Sequence, residues 1–237
     1  PPRSTQGVSS AASDVYKRQN FISANLYDKA SNQLLFKPYH IMEKDGAKIA
    51  FIGLSQSARF QSVTNKNFVE EGNRYIDKLK PEVDLIILLV NVRDDNVLDL
   101  STSFAEADYI FLSGSTKRTE PRTMQNENGA LVYAGGIQGK HLSILDIRVK
   151  EPNIAINDVS SPFNRLQEID YRLNRLKAKD PSKKLEEVYA NQPNVLDLIR
   201  KYQKEATELG ISLAGYQNRS IFFSVPLSPT IPDDKKV

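Results

Sequence analysis

The run Val83–Val90, written VDLIILLV, is apolar at every position but Asp84 and shows no two-residue alternation. A continuous apolar stretch of this length, bounded by polar residues, suits a strand covered on both faces. Such a strand requires a sheet with helices layered against it. The run is far shorter than the roughly 18 apolar residues of a membrane-spanning helix, and no other stretch of the sequence approaches that length.

The surrounding residues fit that reading. From Asn20 to about Pro152, short apolar runs alternate with polar helical stretches. Phe21–Leu26 and Leu34–Glu43 read as strands. Lys44-Asp45-Gly46 then reads as a hairpin turn feeding a third strand, Lys48–Leu54. Asn67–Leu79 predicts a helix with Phe68, Tyr75, Ile76 and Leu79 on one side, ended by Pro81. Asp94–Ala107 predicts another, with Asp94 and Asp95 at its positive N-terminal end. Asp108–Ser113 reads as the next buried strand. Ala130–Ala134 and Leu142–Val149 close the sheet, with Gly135, Gly136 and Gly139 between them. Strands and helices alternating in this way predict a layered α/β sheet domain over 20–152.

Beyond Glu151 the pattern changes to a helical appendage over 153–237. Phe163, Leu166, Ile169, Leu173 and Leu176 recur at helical spacing, as do Val195, Leu198, Ile199, Tyr202 and Leu209. Asp180-Pro181 breaks the first helix, Pro193 opens the second and Gly210 is its expected stop. Ser220–Val225 reads as a short terminal strand, followed by a Pro-rich connector over Pro226–Asp234. Two amphipathic helices predict a packed hairpin, or an arm docking a protein partner through the helices over 163–209.

The opening, Pro1–Gln19, has neither apolar periodicity nor the apolar core of a signal peptide. Ser9–Gln19 resembles an in-frame translation of the transposon-end adapter used in sequencing libraries, and Pro1–Thr5 resembles the primer upstream of it. A genuine polar leader is the alternative. On the adapter reading the sequence is metagenomic, the fold starts at Asn20, and residues 20–237 are a truncated piece of a longer chain. The net charge of +3 then falls to +1, because Arg3, Lys17 and Arg18 leave together with Asp14. A nearly neutral chain offers no electrostatic footprint for nucleic acid. There is no cysteine, which removes disulfides, thiolate zinc sites and cysteine nucleophiles, and the only histidines are His40 and His141.

Ser23-Ala24-Asn25, Lys37-Pro38-Tyr39-His40-Ile41 and Gly46-Ala47-Lys48-Ile49-Ala50-Phe51-Ile52-Gly53-Leu54 together resemble the middle of the 5′-nucleotidase branch of the calcineurin-like metallophosphoesterases. The likeness continues through Val83–Leu89, Ala107-Asp108-Tyr109-Ile110 and Ala134–Lys140, covering about residues 20–150. It implies the later part of a layered domain that hydrolyses phosphate esters with two divalent metal ions. The family's Asp-x-His and Gly-Asn-His motifs would lie before Asn20. Its later histidines follow two buried strands, and here the matching positions differ. Asn91 stands at the first. Counting from Asp108 puts Gly114 and Thr116 at the others, whereas aligning on the glycine puts Ser115 and Lys117 there. No imidazole appears in either register, so no bound metal or other cofactor and no catalytic residue is expected.

The remaining candidates have plainer readings. His40 and His141 read as structural, and Gly135, Gly136 and Gly139 as turn residues rather than a dinucleotide fingerprint. The loop Ser113-Gly114-Ser115-Thr116-Lys117-Arg118 offers hydroxyls, amides and two cations, and is either an anion-binding loop or a solvated turn. Ser224–Leu227 with Ile231–Asp234 resembles the segment before a multihaem cytochrome region in bacterial relatives. Three functions follow: an inactive scaffold or binding module of the cell envelope or periplasm, a fragment of an active metal-dependent phosphoesterase with its other ligands upstream, or a docking arm built on the helices.

Overall fold

The computed structural model describes residues 20–57, 60–92, 99–120, 123, 125, 129–151 and 154–227. They divide into two compact units. The first takes the described residues up to Arg118 together with Gln125–Gly135, and the second takes those of 119–124 and from Gly136 onward.

In the first unit the order is β1 (Leu26–Asp28), β2 (Tyr39–Lys44), β3 (Ala47–Ser55), β4 (Val63–Asn65), α1 (Phe68–Leu79), β5 (Leu85–Asn91), α2 (Leu100–Ser103), β6 (Tyr109–Ser113) and β7 (Leu131–Ala134). Five strands form one sheet in the order β2-β3-β5-β6-β7, with β2 antiparallel to β3 and the rest parallel. The apolar run is the central strand, as its composition requires. Leu85 to Leu88 are all buried, and exposure begins only at Leu89. Ile86, Leu88 and Val90 pack with Ala50, Ile52 and Leu54 of β3 and with Ile76 and Leu79 of α1. That helix starts where the Asn67 side chain accepts the Val69 and Glu70 N–H groups, and Glu70 and Glu71 complement its first turn. Asp45 and Gly46 both have positive φ, 54° and 83°, as a two-residue type I′ hairpin demands between Lys44 and Ala47.

Several expected elements differ. Phe21–Leu26 is no continuous strand. Ile22 makes an isolated bridge to Lys37, Ser23 and Ala24 donate to Lys37 O and Gly53 O, and only Leu26 starts β1. Leu34 bridges Tyr27, and the following strand begins at Tyr39, because Pro38 has no N–H to give a ladder. Of the helix expected over Asp94–Ala107, the described residues from Asp99 onward form one turn, Leu100–Ser103, started where Asp99 accepts the Thr102 N–H. Asp94 and Asp95 lie outside the described residues, as do Pro1–Gln19 and most of the Pro-rich connector.

The largest correction concerns Leu142–Val149, expected to close the first sheet. It forms β8 (His141–Arg148) in the second unit and pairs antiparallel with β10 (Arg219–Pro226) along its whole length. Alternation fixes a strand's faces and says nothing about which strand it pairs with. β9 (Asn157–Asp158) completes this three-stranded sheet on the other side of β10. The hairpin consists of α3 (Ser160–Lys177) and α5 (Pro193–Gly215), with the unforeseen short α4 (Leu185–Val188) between them. α5 runs past Gly210 because Leu213 is needed below, where it packs with Val159 and Ile221. Ile169 is fully buried and Leu166, Leu173 and Leu176 are half-buried, so the stripe considered for docking is the hairpin's own interior. Arg165 clips the two helices, Nε donating to Glu205 Oε1 at 2.6 Å and Nη2 to Oε2 at 2.9 Å. The bond holds the Glu205 carboxyl below its ordinary range.

Candidate functional site

In an open sheet with parallel strands, ligand sites form beyond the strands' carboxyl ends, where the connecting loops diverge. Here those ends are Ser55, Asn91 and Ser113, in direct register across β3, β5 and β6. The ends are tied to one another. Gln56 N–H donates to Asn91 O at 2.9 Å and Val92 N–H to Ser113 O at 3.1 Å. The Asn91 side chain is engaged as well, its Nδ2 donating to Ser113 Oγ at 3.0 Å.

Behind Ser55 stands a buried amide that composition alone did not single out. Asn25 has no exposed surface. Its Nδ2 donates to Ser55 O at 2.7 Å, Asn65 Oδ1 at 2.6 Å and Lys66 O at 3.0 Å, and its Oδ1 accepts the Ser55 N–H at 3.0 Å. Asn65 Nδ2 also donates to Ser55 O, at 3.1 Å. The end of β3 is therefore fixed to the β4 segment through side chains. A buried asparagine inside an apolar stretch, Ser23-Ala24-Asn25-Leu26, was the only sign of it in the sequence.

The Ser113–Arg118 turn is built by its own groups. Gly114 has φ +87°, and a Cβ there would lie 2.7 Å from Val92 O, so this position excludes any side chain without strain. Ser115 is buried, and its Oγ accepts the Lys117 N–H at 3.2 Å. One amide that an anion would need is thus already satisfied. Thr116 and Lys117 are exposed, and the turn ends where Arg118 bridges Gly135.

Two cavities meet at Asn91. One, of about 620 Å³, is lined by Leu26, Phe36, Gln56, Phe60 and Gly114 among others. The other, of about 460 Å³, runs along Phe21, Gly53, Leu89, Phe111 and Ser113. Phe60 is 74% exposed at the first. Neither Phe36 nor Phe60 stood out in the sequence, since a lone aromatic in a loop carries no pattern. The donors at this edge are an amide, hydroxyls and backbone carbonyls. Among the described residues no three His, Cys, Asp or Glu side chains come together. His40 lies on the edge strand β2, in register with Phe51, and His141 opens β8 of the second unit.

No family model matches the sequence. A 5′-nucleotidase of Vibrio cholerae is 38% identical over 82 residues, which is 30% of this chain and 15% of that protein. Protein UshA of Yersinia enterocolitica is 56% identical over 34 residues, 14% of this chain and 6% of its own length. The sulfate thiohydrolase SoxB of Thermus thermophilus superposes with a TM-score of 0.50 at 19% identity, covering 59% of this chain and 27% of that structure. Over part of its length this chain is similar in sequence to 5′-nucleotidase-type proteins, and it shares an α/β fold with SoxB. The metallophosphoesterase-type likeness spans well under a third of each of these proteins. The α/β architecture expected from the sequence is the one found. No helix among the described residues is long and apolar enough to cross a membrane.

Proposed function

We propose that the metallophosphoesterase-type edge of this chain no longer holds a metal pair, and that the protein serves as a scaffold or binding domain of the cell envelope. The carrying observation is the Asn91 amide, at a position where the family resemblance calls for an imidazole, with its nitrogen donated to Ser113. An amide oxygen and hydroxyls are much weaker ligands for transition-metal dications than neutral imidazole. Gly114 adds to this, because its backbone conformation admits no ligating side chain in the register counted from Asp108. In the other register the residues are Ser115, which is buried and engaged in the turn, and Lys117, a cation without a carboxylate partner among the described residues. A lysine there opposes metal entry. The donor set does not fit two divalent ions, and no hydrolytic step is assigned to it.

The alternative, a fragment of an active phosphoesterase, draws on the name of the Vibrio cholerae relative. The two readings part in a hydrolysis assay with a nucleoside monophosphate and added manganese, run on the protein together with any upstream segment that supplies the Asp-x-His and Gly-Asn-His motifs. The expected result is a rate equal to that of buffer with manganese alone. Manganese-dependent hydrolysis that falls in Asn91→Ala establishes the alternative instead.

A further inference from the structure

The second unit has a cleft of its own, about 680 Å³, between α3, α5 and the segment at α4. It falls in the range of roughly 300–1,000 Å³ that holds bound groups in known sites. Its floor is apolar and aromatic: Leu176, Tyr189 and Tyr202. Both floor hydroxyls are already used, since Tyr189 OH donates to Leu176 O at 3.0 Å and Tyr202 OH accepts from Arg172 Nη1 at 2.7 Å. The floor is thus largely buried aromatic carbon with its hydroxyls turned to the protein, and Arg172 lies over the Tyr202 ring at 5.7 Å. At the rim, Tyr171 is 64% exposed and Leu198 42% exposed, unusual for two large side chains facing the same space.

The charges along the rim are unbalanced. Glu168 is taken by Arg165 and Arg172, and Arg165 also holds Glu205. Arg175 also lines the cleft and has no hydrogen-bond or ion-pair partner among the described residues. Lys179 stands over the Tyr189 ring at 5.1 Å and adds to the same sign. The cleft is thus an aromatic trough with an uncompensated guanidinium at its edge. Its α3 wall runs from Glu168 to Leu176, about 12 Å of helix at roughly 1.5 Å per residue. A trough along a helix axis suits a chain segment lying in it better than a compact molecule.

We infer that this cleft binds an acidic segment of a partner protein, one that places an aromatic or leucyl side chain on Tyr189 and Tyr202 and a carboxylate on Arg175. The apolar anchor removes Leu198 and Tyr171 from water, and the carboxylate forms the bidentate pair that a guanidinium favours. Apart from Leu176, which contributes to the floor, this surface is separate from the stripe of Leu166, Ile169 and Leu173 that the hairpin buries for itself.

The test is fluorescence anisotropy with the full chain and a labelled acidic peptide carrying a phenylalanine and leucines one helical turn apart among glutamates. The expected result is saturable binding, weakened about tenfold or more by Arg175→Glu and likewise by Leu198→Ala, both variants keeping the parent circular dichroism. A peptide with lysines in place of the glutamates is expected not to bind. No saturable binding, equal binding of the lysine peptide, or an unchanged affinity in Arg175→Glu overturns the inference. So does free phenylacetate competing as well as the peptide, which would make the cleft a small-molecule site. Self-association abolished by Leu198→Ala would likewise assign the cleft to a second copy and overturn it.

Discussion

Asn25→Ala is expected to lower the unfolding free energy of the first unit by about 2–4 kcal/mol. The amide makes four hydrogen bonds with no exposed surface of its own, to Ser55 O, Asn65 Oδ1, Lys66 O and Ser55 N. Alanine removes every one of them and leaves the part-buried Ser55 N–H and Lys66 carbonyl short of these partners. Each such orphan costs about 1–3 kcal/mol, whereas an exposed hydrogen bond contributes about 1 kcal/mol. Ser55 O keeps Asn65 Nδ2, which is why the estimate stays below the sum of the separate terms. Asn25→Asp is the sharper variant. It keeps the size but turns three donor contacts into a carboxylate facing carbonyl oxygens, so at neutral pH it is expected to be worse than alanine. Urea unfolding reads this as a lower midpoint at unchanged slope, with faster amide exchange at β3 and β4. A loss under about 1 kcal/mol for alanine, or an aspartate variant as stable as the parent, would show that the amide is not the clamp.

The second large effect lies in the other unit. Asn218 is 1% exposed, and its Oδ1 accepts the Lys150 and Glu151 N–H groups at 2.8 and 3.1 Å. Its Nδ2 donates to Glu151 O at 2.7 Å and Ile154 O at 2.6 Å. This side chain fixes the turn after β8 to the start of β10, partners more than 60 residues away in sequence. Asn218→Ala is expected to cost about 2–4 kcal/mol by the same reasoning. The loss is expected in amide exchange at β8 and β10, while β3 and β4 keep the parent protection. Uniform deprotection of both units would contradict a local clamp.

These two asparagines also mark where reading the sequence stops. The apolar run ending at Val90 announces a central strand because hydrophobic burial is written locally, residue by residue. The Asp45-Gly46 hairpin is legible for the same reason, since its φ requirements are met by two adjacent residues. The first feature also puts Asn91 just past the end of that strand; that an imidazole was expected there came from the family resemblance. Asn25 and Asn218 act through partners 30 to 68 positions away, and nothing in their neighbours' identity shows those partners. β8 has the same difficulty. Leu142–Val149 reads as a strand, one residue off the observed His141–Arg148, but its partner β10 lies beyond the helices of the hairpin, and proximity in sequence suggests the wrong sheet. At the edge itself, the sequence shows which residue types stand where imidazoles were expected. It does not show that Asn91 is engaged with Ser113, or that Gly114 has a backbone no histidine could adopt without strain.

The hydrolysis assay reads activity, which can be lost for many reasons, so metal occupancy is the nearer question. Manganese titration of the protein, together with any upstream segment that supplies the Asp-x-His and Gly-Asn-His motifs, followed by electron paramagnetic resonance counts bound ions directly. With the donors at Asn91, Ser113 and the Gly114–Lys117 turn, the expected spectrum is that of free manganese at every addition, unchanged in Asn91→Ala. A spin-coupled pair of bound ions that disappears in Asn91→Ala would mean that an amide and hydroxyls do hold the cations there, and the proposal of a metal-free edge would be wrong.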